Sequence, residues 1–335
     1  MFKVDNFEKE NCLLSPSLKL ASFFDDEVVS IAPNIDCVKR LFSISYEEAL
    51  KQSKRLQWQF ELAQGREIGV KVSPGYFLSV TELYALVLAK VLETSGTQAP
   101  LKSVIVVPAN FTDPQRESII DAANAVEIDP LRLVSETEAL IANYEGKMTS
   151  DLDEEKPETV LIVSMGAGTT ESALFELNYN DHYDMVNCHA MTTGGDDLDG
   201  LLMQCCRSEW KLFLNDPSIE KEMLSGLKWK CKQAKAEFSN GVKEVEIKSS
   251  DRDEVLEITV TKQRFESMIS GFVLPEFKKM LSKTAGDVMP KLVLLCGGSM
   301  KIPILANSVR SLFSKSQFSN ILNYSEAVAE GAGKF

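Results

Sequence analysis

Three short apolar runs rich in β-branched residues, each closed by a turn, constrain this 335-residue chain more than any other feature. They are Ser103–Val107 before Pro108, Val160–Val163 before Ser164, and Leu292–Leu295 before Gly297. Continuous apolar runs of this length suit strands covered on both faces, as in an α/β layer. Helical patterning follows two of them. Asp113-Pro114 opens a segment through Ala125 with a capping residue and a proline at the first helical position, and Ile302–Phe313 follows the third run in the same way.

The chain is long enough for two lobes of ordinary size. Lys147–Glu158 (KMTSDLDEEKPE) is a polar, acidic run ending in proline and reads as the link between them. Ser249–Glu254 is a charged turn between the alternating segments Val245–Ile247 and Val255–Val260, hence a hairpin. Met223–Phe238 is a long helix candidate whose Leu224, Leu227, Cys231, Ala234 and Phe238 make a core-facing stripe.

Charge and special residues exclude several classes. Thirty-six basic against forty-nine acidic residues give a net charge of −13, unlike a general binder of nucleic acid or anionic membrane. No apolar run approaches the ~20 residues of a membrane helix. The opening MFKVDNFEKE lacks the apolar core of a signal peptide. The seven cysteines (12, 37, 188, 205, 206, 231 and 296) include no CxxC pair, and His182 and His189 are the only histidines. No zinc site or histidine triad is therefore expected, and the thiols read as reduced and buried in a cytoplasmic setting.

Three turns have the composition for phosphate or nucleotide contact. In VSMGAGTTE (163–171), Gly166 and Gly168 allow backbone N–H groups to face an anion, and Thr169 adds a hydroxyl. A plain tight turn explains that segment equally well. In TTGGDDLD (192–199), Gly194 and Gly195 precede three acids at a helix start, which suits a phosphate, its magnesium ion, or simple capping. In LCGGSMKIP (295–303), Gly297 and Gly298 would let a base or ribose lie against the backbone, although a strand-to-helix turn accounts for them too.

The order of these segments resembles the nucleotide-binding domain of the seventy-kilodalton heat-shock (DnaK-like) chaperones. VIVVPANFTDPQR (104–116) and LRLVSETEALIANY (131–144) are similar to that family's VPAYF(N/D)DxQR and LRIINEPTAAAIAY segments. DCVKRL (36–41), GGDDLD (194–199), CKQAKAEFS (231–239), ITVTKQRFE (258–266), GGSMKIP (297–303) and NYSEAVAEGA (323–332) follow in the same order. The resemblance implies an actin-like, two-lobed ATPase fold of duplicated ribonuclease-H-like halves, binding ATP or ADP with Mg2+ between the lobes. It places the first lobe at 1–148 and 320–335, with 12–76 as its small subdomain. The second lobe falls at 156–319, with 193–261 as its small subdomain.

Carried over by position, the resemblance gives Lys39 the role of a cationic donor at the γ-phosphate and Glu136 that of holding metal-bound water. It puts Thr169 near the γ-phosphate, with Gly166, Gly168, Gly194 and Gly195 around the phosphates. Lys235, Ser239, Gly297, Gly298, Ser299 and Lys301 fall on the adenosine side. Pro108 and Arg116 match residues that relay nucleotide state. The residue chemistry alone leaves Lys39-Arg40 readable as a solvated pair, Glu136 as a helix-starting acid and Lys235 as part of a solvated face.

The departures weaken the site. Nothing resembles the family's opening DLGTT turn, so the first lobe is expected to lack its first two strands, leaving Ser103–Val107 short of a neighbour. Ser164 stands for an aspartate of the magnesium shell and Ala167 for a glycine. Lys232, Ala236, Lys301 and Ser325 replace four adenosine-side residues, and lysine does not stack as arginine does. The family's peptide-binding domain is not expected in this chain.

Two readings remain. One is a divergent chaperone nucleotide-binding domain with weak or absent hydrolysis, serving protein folding or the stress response. The other is a non-catalytic actin-like scaffold acting with co-chaperones or nucleotide-exchange partners. A metabolite kinase of the same superfold fits worst, because no acid–base pair for a substrate hydroxyl stands out.

Overall fold

The computed structural model describes residues 38–42, 44–56, 61–64, 68–73, 76–96, 100–145, 158–178, 182–210, 226–251, 254–324 and 326–335. Cys12, Cys37, Leu224, Ser325, most of the 147–158 link and the chain start lie outside them. The three apolar runs form strands β4 (Leu101–Val107), β6 (Glu158–Met165) and β11 (Leu292–Cys296).

β6 and β11 pair in parallel, with Leu292 opposite Val160 and Cys296 opposite Ser164. Around them β7 (Thr170–Asn178), β8 (His182–Met191) and β12 (Gln317–Ser319) complete a five-stranded sheet in the order β12-β11-β6-β7-β8. β7 runs antiparallel to β6, and β8 to β7. The uninterrupted apolar runs are explained by cover on both faces, since successive side chains on a strand point opposite ways. Leu161, Val163, Met165, Val293 and Leu295 enter one core, built with α6 (Gly195–Trp210), α7 (Leu227–Ser239), α8 (Lys262–Phe272) and α9 (Leu274–Ala285). Val160, Ile162, Leu292, Leu294 and Cys296 enter another, built with α5 (Glu136–Glu145) and α11 (Ala327–Ala332).

A second region is organised by the parallel pair of β4 with β5 (Ile128–Ser135), which runs from Leu101 opposite Ile128 to Val107 opposite Ser135. Among the described residues β5 is the one strand paired with β4. Helices α1 (Val38–Phe42), α3 (Val80–Ser95) and α4 (Asp113–Asn124) pack with this pair, and α2 (Tyr46–Leu56) and the antiparallel sheet β1-β2-β3 (Glu61–Gln64, Ile68–Ser73, Tyr76–Ser79) join the same core. Ser79 and Glu82 close α3 with a reciprocal capping box, and Gly96 ends it in the left-handed region at φ 66°.

The expected hairpin is β9 (Glu244–Asp251) against β10 (Glu254–Thr261). The helix expected over 223–238 is described from Leu227, and Leu227, Cys231, Ala234 and Phe238 are all buried. The helix after β11 runs from Pro303 to Leu312 and is α10.

Candidate functional site

β6 and β11 are parallel neighbours, so their terminal turns emerge side by side. The turn after β6 is closed by the Gly166 N–H donating to the Thr169 carbonyl at 3.0 Å. The Gly166 carbonyl then accepts from Gly195 N at 2.9 Å and from Ser299 Oγ at 3.1 Å, while the Ala167 carbonyl accepts from Asp196 N at 2.9 Å. One short turn thus docks the start of α6 and the start of the 3-10 turn Gly298–Lys301. Glycine is obligatory at two of these joints. A Cβ at Gly194 would lie 2.5 Å from the Ala167 carbonyl oxygen, and one at Gly297, whose φ is +80°, would lie 2.4 Å from the Met165 oxygen.

Three other glycines have room for a Cβ. A Cβ at Gly166 or Gly168 would find its nearest atom at 3.8 Å, and one at Gly298 would meet nothing within 4 Å. Of the three, exposed Gly298 leaves its backbone open to a ligand, whereas Gly166 is engaged within its own turn and Gly168 lies against Arg40.

Lys235 reaches this cluster from α7. Its ammonium donates to Asp199 Oδ2 and to the Gly195 carbonyl, each at 2.8 Å. Burial raises the Asp199 pKa, and the lysine opposes that shift. Ser239 donates back to the Lys235 carbonyl at 2.9 Å, within its own helix. Lys301 is exposed, with Nζ 5.7 Å from the Tyr324 ring centroid. Of the adenosine-side candidates, Lys235 and Ser299 are therefore drawn onto the turns, whereas Ser239 and Lys301 make other contacts.

Lys39, Glu136 and Thr169 meet the cluster from three directions. Lys39 is exposed on α1 and donates to the Val106 carbonyl at 2.9 Å. Glu136 opens α5 directly after β5, and its carboxylate accepts from Ser164 Oγ at 3.4 Å. Burial raises its pKa, against the pull of Lys39 and of the Ser164 bond. Thr169 is half-buried in the turn after β6.

Two further residues belong here that motif reading did not single out. Glu171 on β7 is 0% exposed; its Oε1 accepts from Ala109 N at 3.0 Å, and its Oε2 makes no hydrogen bond. Burial, reinforced by Glu136, raises its pKa well above the carboxylate range. The available signal was its place at the end of SMGAGTTE, where the resembling motif ends in an acid.

Arg40 is the other. The solvated-pair alternative for Lys39-Arg40 does not hold for it, because its side chain is 1% exposed and pairs with Asp197 at 2.8 Å. Two acids of the TTGGDDLD segment find their places in the same way: Asp197 and Asp199 are internal partners of Arg40 and Lys235, not open ligands.

The geometry defines a class before any comparison: an α/β fold with glycine turns gathered at the ends of two parallel strands, facing a second α/β region that carries Lys39 and Glu136. The family model described as "Hsp70 protein" matches residues 25–334. A ribosome-associated molecular chaperone of Zygosaccharomyces rouxii is 29% identical over 313 residues, covering 88% of this chain and 50% of that protein. A chaperone protein dnaK of Cyanidioschyzon merolae is 26% identical over 311 residues, with the same two coverages, 88% and 50%. A chaperone protein HscA homolog of a Shewanella species is 27% identical over 294 residues, covering 85% and 45%. The chain belongs to the Hsp70 family, with its actin-like ATPase fold, and matches the nucleotide-binding domain. It spans about half the length of the curated relatives it matches.

Proposed function

We propose that this chain binds ATP or ADP with Mg2+ between the two regions, weakly, and hydrolyses it slowly or not at all. The observation that carries this reading is the open, exposed backbone at Gly298, set beside the Gly166–Gly168 turn on joints that are otherwise locked together. Such turns offer N–H groups to phosphate without a side chain in the way. The division into lobes at 1–148 with 320–335, and at 156–319, is part of the same proposal.

The donor set suits a shared magnesium ion. Among the described residues no group of three or more His, Cys, Asp or Glu is placed to hold a metal. Magnesium commonly takes only one or two carboxylates and completes its shell with phosphate and water. Glu136 and Glu171, whose Oε2 lacks a partner, would hold it, and the ion would neutralise phosphate charge. Lys39 would supply a further positive charge, and Glu136 would orient a water.

Weak binding follows from what is already committed. The Ser164 hydroxyl is bonded to Glu136, the Lys235 ammonium to Asp199 and Gly195, and burial biases Glu171 toward its neutral form. The same commitments favour the second reading, a scaffold that works through co-chaperones or exchange partners. Cys205, Cys206, Cys231 and Cys296 are buried free thiols, which supports placement in a reducing compartment such as the cytoplasm. No helix among the described residues is long and apolar enough to cross a membrane.

Calorimetric titration with Mg-ATP tests the proposal. The expected result is one site weaker than about 1 µM, a free energy smaller than about 8.2 kcal/mol. Tighter binding would overturn the weakened site, and no heat at millimolar nucleotide would leave the scaffold reading.

A further inference from the structure

We propose that Arg40 is a positioning residue: its guanidinium ties two of the three glycine turns to the short helix that carries Lys39, and so sets the geometry and closure of the cleft. Four bonds carry the proposal. Nη2 donates to Asp197 Oδ2 at 2.8 Å and to the Gly168 carbonyl at 2.7 Å. Nη1 donates to Asp197 Oδ1 at 3.4 Å and to Gln52 Oε1 at 3.3 Å.

Two of these partners come from distant parts of the chain, and the third from the next helix. Gly168 belongs to the turn after β6, Asp197 to the first turn of α6, and Gln52 to α2. Asp197 Oδ2 also accepts from Gly194 N at 2.8 Å, so a single carboxylate oxygen links the arginine to the second glycine turn. Val38, Leu41 and Phe42 anchor α1 in the core beside α3, which leaves Arg40 as the residue that crosses.

The chemistry requires arginine. A planar fork presents donors to both oxygens of a carboxylate and to a carbonyl at once, which a lysine ammonium on a flexible stem does not reproduce. Burial makes the tie directional. The Arg40 and Asp197 side chains are 1% and 4% exposed, so the regions cannot part without hydrating two charges, and removing one partner strands the other.

The proposal takes its importance from the nucleotide reading of the cleft, but the tie itself is measurable without nucleotide. The experiment compares the full chain with Arg40→Lys and with the paired replacement Arg40→Met/Asp197→Leu, which removes both buried charges and keeps volume. Hydrogen exchange is followed at 166–169 and 194–197, and X-ray scattering reports the radius of gyration.

The expected result is that the paired variant stays folded, with exchange in both turns accelerated roughly tenfold and a larger radius of gyration. Arg40→Lys keeps the charge without the fork, so it loosens the 166–169 turn while thermal stability changes little. Unchanged exchange in the turns for both variants overturns the proposal. If the paired variant fails to fold, Arg40→Lys decides alone: protection at 166–169 equal to wild type refutes the positioning role. A wild-type chain that binds no ATP defeats the nucleotide reading and leaves these readouts intact.

Discussion

Glu171 on β7 accepts a hydrogen bond from the backbone N–H of Ala109, the residue after Pro108, so a buried carboxyl of one region holds the turn that ends β4 in the other. Burial first, and Glu136 second, raise its pKa well above the ordinary value. A carboxyl whose folded pKa is raised contributes stability that is complete below its unfolded pKa and is lost as pH rises through the folded value. Glu171→Gln keeps an oxygen acceptor for Ala109 and removes the titration. Urea unfolding should therefore show the variant gaining on wild type as pH rises from 5 to 8. A gain that shrinks with rising pH would contradict the assignment.

A second expectation concerns the crossing of α11 over α5. A Cβ at Gly331 would lie 1.7 Å from the Ala139 carbonyl oxygen, so the two helices touch only because the residue is glycine. Asn143 and Lys334 reinforce the contact, donating to the Ala327 and Ala142 carbonyls, each at 2.8 Å. Gly331→Ala should destabilise the chain by about 1–3 kcal/mol, despite the better helix propensity of alanine. Denaturant midpoints at constant slope measure it, and an unchanged or raised midpoint would count against this packing.

Ser164→Asp places a third carboxyl beside Glu136 and Glu171 at a position only 2% exposed. Without a cation the added charge should lower the melting temperature by several degrees, in line with a loss of about 1–2 kcal/mol. Added Mg2+ should restore more of the lost stability in the variant than it adds to wild type. Equal responses to Mg2+ in the two proteins would show that this turn does not face a cation.

Much of the fold was legible because burial on both faces removes the alternation of ordinary strands. Val160–Val163 and Leu292–Leu295 became paired central strands feeding two cores. The glycine turns were legible as composition, and the structure separates their roles: Gly194 and Gly297 are packing joints, whereas Gly298 faces open space. Arg40 was not legible as a site residue, since beside exposed Lys39 it looks like half of a solvated pair. Its partners Gly168 and Asp197 lie more than a hundred positions away, and only the tertiary fold brings them together. Asp197 and Asp199 have the composition of cation ligands or helix caps; the structure gives each a cationic side-chain partner, and Asp197 also accepts from the Gly194 N–H at the start of α6.

The most direct test of nucleotide binding at these turns is hydrogen exchange on the full chain with and without saturating Mg-ATP, in wild type and in Gly298→Ala. The alanine meets nothing within 4 Å and should cost little stability, while occupying space that the ligand needs. ATP should slow exchange at 166–169, 194–196 and 298–301 in wild type, with the β9–β10 hairpin unchanged. Gly298→Ala should need roughly tenfold more ATP for the same protection, a loss of about 1.4 kcal/mol of binding. Protection confined to other segments, or an identical ATP dependence in the two proteins, would contradict nucleotide binding at these turns.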